Sequence, residues 1–407
     1  MTVPASTAER IGAAVRAVGP GELTESVVDR YIAPLFSRHK LAFGDRVYLA
    51  NHSLGRPLDA TEDDVREGLA PWYADMGGAW ERWDEEIAAY RARLAKLIGA
   101  PRADCIVPKT SAGQGLRAVL NALADTPRVV ATRGEFDSLD IILREYARRG
   151  RIHLTMVEPR EEGRFDTRDV VAAIGAGADL VVVSEVVFNT GQRLAELPAI
   201  AAAARAAGAK ILVDVYHATG AIESDVTALD ADFAVGGSYK YLRGGPGACF
   251  LYVHPRHLDG SLRTLDTGWF AKEARFAYRR PDPPRFAEGG DGWLESTPPI
   301  LPFYQARAGQ IFTLTLGVAR LRSYSLTCQR SLVAALDSEG VKARGGTEDR
   351  GAFVVVAHPR AGELADALRA QGIVTDARGA LLRLCPDLLT ADEDLQRAAR
   401  TLAALMR

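Results

Sequence analysis

Residues 232–253 read DFAVGGSYKYLRGGPGACFLYV. An apolar run, Phe233 to Val235, leads into Gly236-Gly237-Ser238-Tyr239-Lys240-Tyr241, and Gly244-Gly245-Pro246-Gly247 leads out into a second apolar run from Cys249 to Val253. Two strands joined by so much glycine make a tight turn of close backbone approach, with Lys240 at its tip. A lysine held there between Tyr239 and Tyr241 is a candidate nucleophile toward a carbonyl. The alternative is a surface hairpin with a solvated lysine, and the rest of the chain has to decide between them.

Upstream of this stretch, strands and helices alternate. Strands are predicted at Cys105–Val107, Arg128–Thr132, Arg151–Val157, Leu180–Val183 and Ile211–Val213, the last ending at Asp214. Between them lie helices from Thr110 to about Ala124, Leu139–Arg149, Asp169–Ala173 and Leu197–Ala207. A further helix, Asp84–Leu97, carries Ile87, Tyr90, Leu94 and Leu97 at three- and four-residue spacing before Gly99 stops it. Apolar strands alternating with helices specify a mainly parallel sheet covered on both faces. Such sheets bind ligands at the C-terminal ends of their strands. The candidate polar groups fall there: Thr110 and Ser111, the surroundings of Phe136, Glu185 to Asn189, Asp214 to His217, and Lys240. Thr110-Ser111-Ala112-Gly113 opens a helix, so it is either an anion site or a plain hydroxyl cap.

Downstream, residues 268–299 are irregular and rich in proline and glycine, the composition of a long functional loop or connector. One long helix is predicted over Phe303–Ser338. A strand at Phe353–Ala357, a helix at Ala361–Gln371, a strand at Leu381–Leu384 and a helix at Glu393–Met406 complete a small C-terminal α/β domain. At the other end, residues 1–45 read as a helical segment, Val47–Leu49 as a short strand, and Asn51 to Pro57 as a turn. Trp72, Trp80 and Trp83 read as core or interface anchors. The expected organisation is an N-terminal segment 1–45, a large domain 46–265, a loop 266–302 and a small domain 303–407.

Composition bounds the partners. At 407 residues, with 47% hydrophobic and 25% charged residues, the chain can build a large core and a second domain. A formal charge of -2 leaves no basic stripe for nucleic acid. No run of eighteen apolar residues exists to span a membrane, and Met1 to Ala14 lacks a signal sequence's apolar centre. Cys105, Cys249, Cys328 and Cys385 are scattered without metal spacing. They read as reduced thiols of a cytoplasmic protein, with no metal site.

The pieces share one chemical partner, pyridoxal 5'-phosphate. That cofactor needs a phosphate cradle, an acid at its pyridine nitrogen, a ring stacker and a lysine. Thr110 and Ser111 supply the first, Asp214 the second, Phe136 the third and Lys240 the fourth, while His217 is placed to reach the ring oxygen. Taken singly, Asp214 reads as a turn cap and His217 as a core histidine; their order on a parallel sheet points to the cofactor.

From about Tyr48 to Pro386 the sequence resembles the fold-type-I enzymes of the class V aminotransferase group, and within it the kynureninases. The matching pieces are Asn51-His52-Ser53-Leu54-Gly55, Lys109-Thr110-Ser111, Glu135-Phe136, Phe188-Asn189-Thr190-Gly191 and Asp214-Val215-Tyr216-His217. Ser238-Tyr239-Lys240-Tyr241-Leu242, Gly268-Trp269-Phe270, Ser296-Thr297-Pro298-Pro299-Ile300 and Leu382-Arg383 complete them. The resemblance implies that Lys240 carries the cofactor and moves the proton at substrate Cα, with Tyr239 touching the phosphate. It implies that Asp214 pairs with the pyridinium and His217 with the ring oxygen, and that Asp140 follows Phe136 in the cofactor site. It places Asn51, Trp269 and Arg383 at the substrate, with Arg383 gripping the α-carboxylate. A structural ion pair of Arg383 with Asp376 or Asp387 is the alternative. Trp269, Ser296 and Thr297 are implied to come from the neighbouring subunit, making a homodimer.

Kynureninases cleave L-kynurenine at Cβ–Cγ to anthranilate and alanine, which makes this the leading reaction. The sequence departs from them at Ala271-Lys272, Gly292-Trp293, Ser296 and Asp137-Ser138-Leu139-Asp140. Lys272 in place of a histidine is expected to favour an acidic or strongly polar side chain. A second reading is an aminotransferase or a cysteine desulfurase/β-lyase, the latter needing a mobile thiol. A third is a non-catalytic protein of the same fold.

Overall fold

The computed structural model describes residues 5–407. Met1–Pro4, the beginning of the N-terminal stretch discussed above, lie outside the described residues. A two-residue strand, β1 (Val47–Tyr48), precedes the large sheet. That sheet is built from β2 (Ile106–Lys109), β3 (Arg128–Thr132), β4 (His153–Val157), β5 (Leu180–Ser184), β6 (Lys210–Asp214), β7 (Phe233–Gly237) and β8 (Cys249–Val253). Its order is β2-β8-β7-β6-β5-β3-β4, and only β8 runs against its neighbours. The crossovers are the helices Ala112–Leu120, Asp137–Arg148, Thr167–Gly175 and Leu197–Ala206. Every residue of β5, β7 and β8 is buried, as the continuous apolar runs require of strands covered on both faces. Phe233, Phe250 and Tyr252 are fully buried, each worth roughly 1.5–3 kcal/mol over an exposed position.

A second core joins the two ends of the chain. Ile11, Val28, Phe36, Val47 and Leu49 pack with Phe312, Leu332, Val354, Leu382 and Leu402. Here β9 (Val354–Ala357), β10 (Ile373–Val374), β11 (Asp376–Arg378) and β12 (Leu381–Leu384) complete the strands. β11, β12 and β9 form a three-stranded antiparallel sheet, and β1 pairs with β10. The N-terminal segment and β1 therefore pack with the C-terminal elements.

Two expectations on elements are corrected. The single long helix is two, Leu301–Leu316 and Val318–Ser338, because Gly317 sits at φ 91° and its N–H closes the first helix on the Thr313 carbonyl. The helix Ala60–Asp75 and strands β10 and β11 are additional.

Candidate active site

The turn after β7 is stitched at its base. Ser238 N–H donates to the Ala248 carbonyl at 2.9 Å, and Gly244 N–H to the Ser238 carbonyl at 2.6 Å. Two glycines elsewhere in the chain let other segments close on it. A Cβ on Gly55 would collide with the Lys240 carbonyl, and one on Gly309 with the Leu242 carbonyl. Gly55 N–H donates to the Tyr239 carbonyl at 2.7 Å, tying residues 51–55 to the lysine turn. Arg243 is left-handed at φ 54°. It is held so by bonds from its guanidinium to Asp387 Oδ1 and the Tyr241 carbonyl, both 2.6 Å.

Lys240 is buried at 4% exposure. Its Nζ lies 2.8 Å from His217 Nε2 and 5.3, 4.9 and 5.6 Å from the ring centres of Phe136, Tyr216 and Tyr239. Burial brings its pKa down to about 7; Asp214 opposes this and the Arg383 charge adds to it. Burial, and then the Lys240 charge, hold His217 well below the ordinary imidazole value. The imidazole is neutral, so Nε2 accepts from Lys240. Its Nδ1 faces the Tyr241 hydroxyl at 3.5 Å.

Asp214 ends β6 and accepts a 2.8 Å hydrogen bond from Tyr216 N–H. Burial pushes it up to about 6, against that hydrogen bond and the Lys240 charge. A second buried carboxylate, Glu135, accepts from Thr132 Oγ1 and Ser184 Oγ, both at 2.6 Å, and burial pushes it up to about 7. Neither Tyr216 nor Glu135 stands out as a site residue in the sequence, although both lie inside the motifs quoted for the family.

At the opening of helix Ala112–Leu120, Ser111 is the N-cap, its Oγ accepting from Gln114 N–H at 3.1 Å. The N–H and hydroxyl of exposed Thr110 both donate to Gln114 Oε1, at 2.7 and 3.1 Å. A side-chain oxygen thus sits on donors suited to an anion. With Asp214 poorly supplied with donors, Lys240 inclined to be neutral and Phe136 beside it, these residues fit pyridoxal phosphate.

Other expected site residues stand as follows. Asn51 is buried, and its Oδ1 has no partner among the described residues. Asp140 bonds exposed Arg144 at 3.3 Å on the helix flank. Trp269 donates from Nε1 to Thr297 Oγ1 at 3.0 Å, and Ser296 and Thr297 are exposed. Arg383 is buried with its fork engaged: Nε and Nη2 donate to Asp376 Oδ1 and Oδ2 at 2.8 and 2.5 Å, and Nη1 donates to the Phe188 carbonyl. The ion pair set out above as an alternative is therefore present with Asp376, while Asp387 pairs with Arg56 and Arg243. Two of the departures from the kynureninases are structural in this chain. Trp293 is a core residue, 5.8 Å from Phe233, and Lys272 Nζ donates to the Arg279 carbonyl at 2.6 Å.

The family model for aminotransferase class-V matches residues 65–381. A kynureninase of Salinispora tropica is 30% identical over 395 residues, 88% of this chain and 89% of that one. A kynureninase of Deinococcus radiodurans is 30% identical, covering 89% and 90%. An uncharacterized aminotransferase of Bacillus subtilis is 27% identical, covering 85% and 91%. Among solved structures, the cystine C-S lyase C-DES in complex with cysteine persulfide superposes with a TM-score of 0.79 at 20% identity, covering 89% and 98%. These last two likenesses differ in weight, since at 20% identity the structural neighbour speaks for the fold alone. The family match spans most of the chain: the protein belongs to the class-V aminotransferase family, and its cofactor is pyridoxal phosphate.

Proposed function

We propose that the protein is a hydrolase or lyase acting at Cβ or Cγ of an amino acid, kynureninase-like, with L-kynurenine to anthranilate and alanine as its leading reaction. The observation that carries this reading is a buried lysine site without an accessible thiol. All four cysteines are buried, and burial raises Cys105 and Cys249 to about 11 and Cys328 to about 12. Desulfurase chemistry needs the opposite, an exposed thiolate. Cys385 is fully buried and raised further.

When bound, pyridoxal phosphate supplies an electron sink for the pair left at substrate Cα. Asp214 keeps the pyridine nitrogen protonated, since its carboxyl is ionised at pH 7. Lys240 Nζ takes and returns the proton at Cα, and neutral His217 orients that amine through its 2.8 Å hydrogen bond. Burial raises the Tyr239 hydroxyl to about 12, so it stays a donor. Thr110 and Ser111 would hold the phosphate, Phe136 would stack on the ring, and Arg383 and Asn51 would receive the substrate, Arg383 through its α-carboxylate. Trp269, Ser296 and Thr297, which touch nothing at Lys240 of their own chain among the bonds described above, complete the partner's site in a homodimer. The buried unpaired thiols support a cytoplasmic setting.

The test is a substrate panel followed by anthranilate fluorescence and amino-acid analysis. Anthranilate release with kcat/KM of order 10⁴ M⁻¹s⁻¹ or more identifies L-kynurenine. Alanine released from another β- or γ-substituted amino acid keeps the reaction class and moves the substrate, as an acidic side chain favoured by Lys272 would. Amino transfer to a keto acid without bond cleavage at Cβ or Cγ overturns the reading.

A further inference from the structure

The fork of Arg383 has two edges, and the structure shows which one is taken. The inner edge, Nε and Nη2, is occupied by Asp376. Asp376 and Arg383 are direct partners in the β11–β12 ladder, so the contact is set by the register of two hydrogen-bonded strands and not by the reach of a mobile side chain. Asp376 is fixed from a second side as well. His52 Nε2 donates to Oδ1 at 2.8 Å, and Ser53 Oγ donates to Oδ2 at 2.5 Å. Four donors on two oxygens fill the acceptor capacity of a carboxylate, which leaves Asp376 nothing with which to bind a substrate amine.

Counting Arg383's donors gives the complementary result. A guanidinium has five N–H groups; two go to Asp376 and one, from Nη1, to the Phe188 carbonyl. One N–H remains on Nη1 and one on Nη2, and the one on Nη2 faces the outer edge because its inner one is used. Charge agrees with this count. Arg383 and Asp376 cancel, and half-exposed Arg378, two residues along β11 and 3.8 Å from Asp376, restores a single positive charge. That balance suits one carboxylate.

We propose that Asp376 is the positioning residue of substrate recognition: it holds the inner edge of Arg383 permanently and presents the outer edge to the substrate's α-carboxylate. The inference rests on the reading of Arg383 as the carboxylate receiver. It also gives residues 51–55 a part. Ser53 and His52 hold Asp376, while Gly55 N–H holds the Tyr239 carbonyl. One short segment therefore ties the carboxylate site to the lysine turn.

The experiment titrates the holoenzyme with L-alanine and with L-alaninamide, which lacks the carboxylate, and follows the visible absorbance change. Asp376→Asn puts an amide N–H against existing donors. It is expected to weaken L-alanine binding by about tenfold or more, the scale of one charge-assisted hydrogen bond, and to leave alaninamide within about twofold. Ser53→Ala removes one donor from Asp376 and leaves the fork intact. It is expected to give a smaller loss, about threefold, again confined to L-alanine; it carries the test should Asp376→Asn fail to fold. Tighter L-alanine binding in Asp376→Asn would mean that Asp376 blocks the fork, and equal weakening of both ligands would mean a general structural role. Either overturns the proposal. Equal affinity of the unmodified enzyme for the two ligands would instead overturn Arg383 as the carboxylate receiver.

Discussion

Two lysines are buried at one edge of the large sheet and are held in opposite ways. Lys109, the last residue of β2, donates to Glu295 Oε1 at 2.8 Å and to the Trp293 carbonyl at 3.1 Å. Lys240, just beyond β7, has a neutral imidazole as its near partner. Burial lowers the pKa of both. The carboxylate beside Lys109 opposes that shift through a direct bond and keeps an ammonium. Lys240 feels Asp214 only at longer range, and it comes down to about 7. Burial alone thus does not mark a nucleophile; burial without a bonded counter-charge does. Lys109 anchors the loop that carries Trp269, Ser296 and Thr297, and Lys240 has no bonded counter-charge, as the proposed reaction requires.

The largest effect that tests this contrast is loss of the reactive amine. Lys240→Ala is expected to lower turnover by about 10⁴-fold, the upper range for a positioned proton-transfer group. Lys109→Met should keep cofactor capture and cost about 1–3 kcal/mol of stability through unmade hydrogen bonds, read as a lower Tm. Equal losses of turnover in the two variants would erase the distinction. Next in size is Asp214→Asn, which should retain the cofactor and lose about a hundredfold in turnover, as expected for one preorganised electrostatic group; near-normal turnover would remove its assigned part.

Mixing Lys240→Ala with Trp269→Ala subunits tests whether the anchored loop serves its partner. Only one of the two sites in a heterodimer is then whole, and random pairing restores about a quarter of full activity. Heterodimers without activity would put Trp269 in its own subunit's site. The smallest effect is on pH. The amine, not the ammonium, attacks an aldehyde, and a lowered pKa makes that form available above about 7. Capture of pyridoxal phosphate by the apoprotein should rise about fivefold from pH 6 to 7 and level off above pH 8. A rate still climbing toward pH 10 would show an ordinary lysine.

Much of this was legible in the sequence, for physical reasons that can be stated residue by residue. β3 and β12 are continuous or nearly continuous apolar runs, and they appear with the boundaries their composition predicts. Lys240, Asp214, His217 and Phe136 converge because strand ends of one parallel sheet share an edge. What was not legible depends on register or on single backbone angles. The pairing of Asp376 with His52 and Ser53 joins positions more than three hundred residues apart. β10 and β11 are too short to show a period of two. Gly317 interrupts a helical pattern that its neighbours continue, and only its φ of 91° reveals the break. The place of Trp293 in the core was not legible because its contact with Phe233 is tertiary.

The central claim, that the lysine without a bonded counter-charge carries the cofactor, has a direct test. The holoprotein is reduced with borohydride, digested, and its peptides are weighed by mass spectrometry. The account predicts a phosphopyridoxyl group on the peptide containing Lys240 and none on the peptide containing Lys109. A label on Lys109 or on a surface lysine, with Lys240 unmodified, would contradict it.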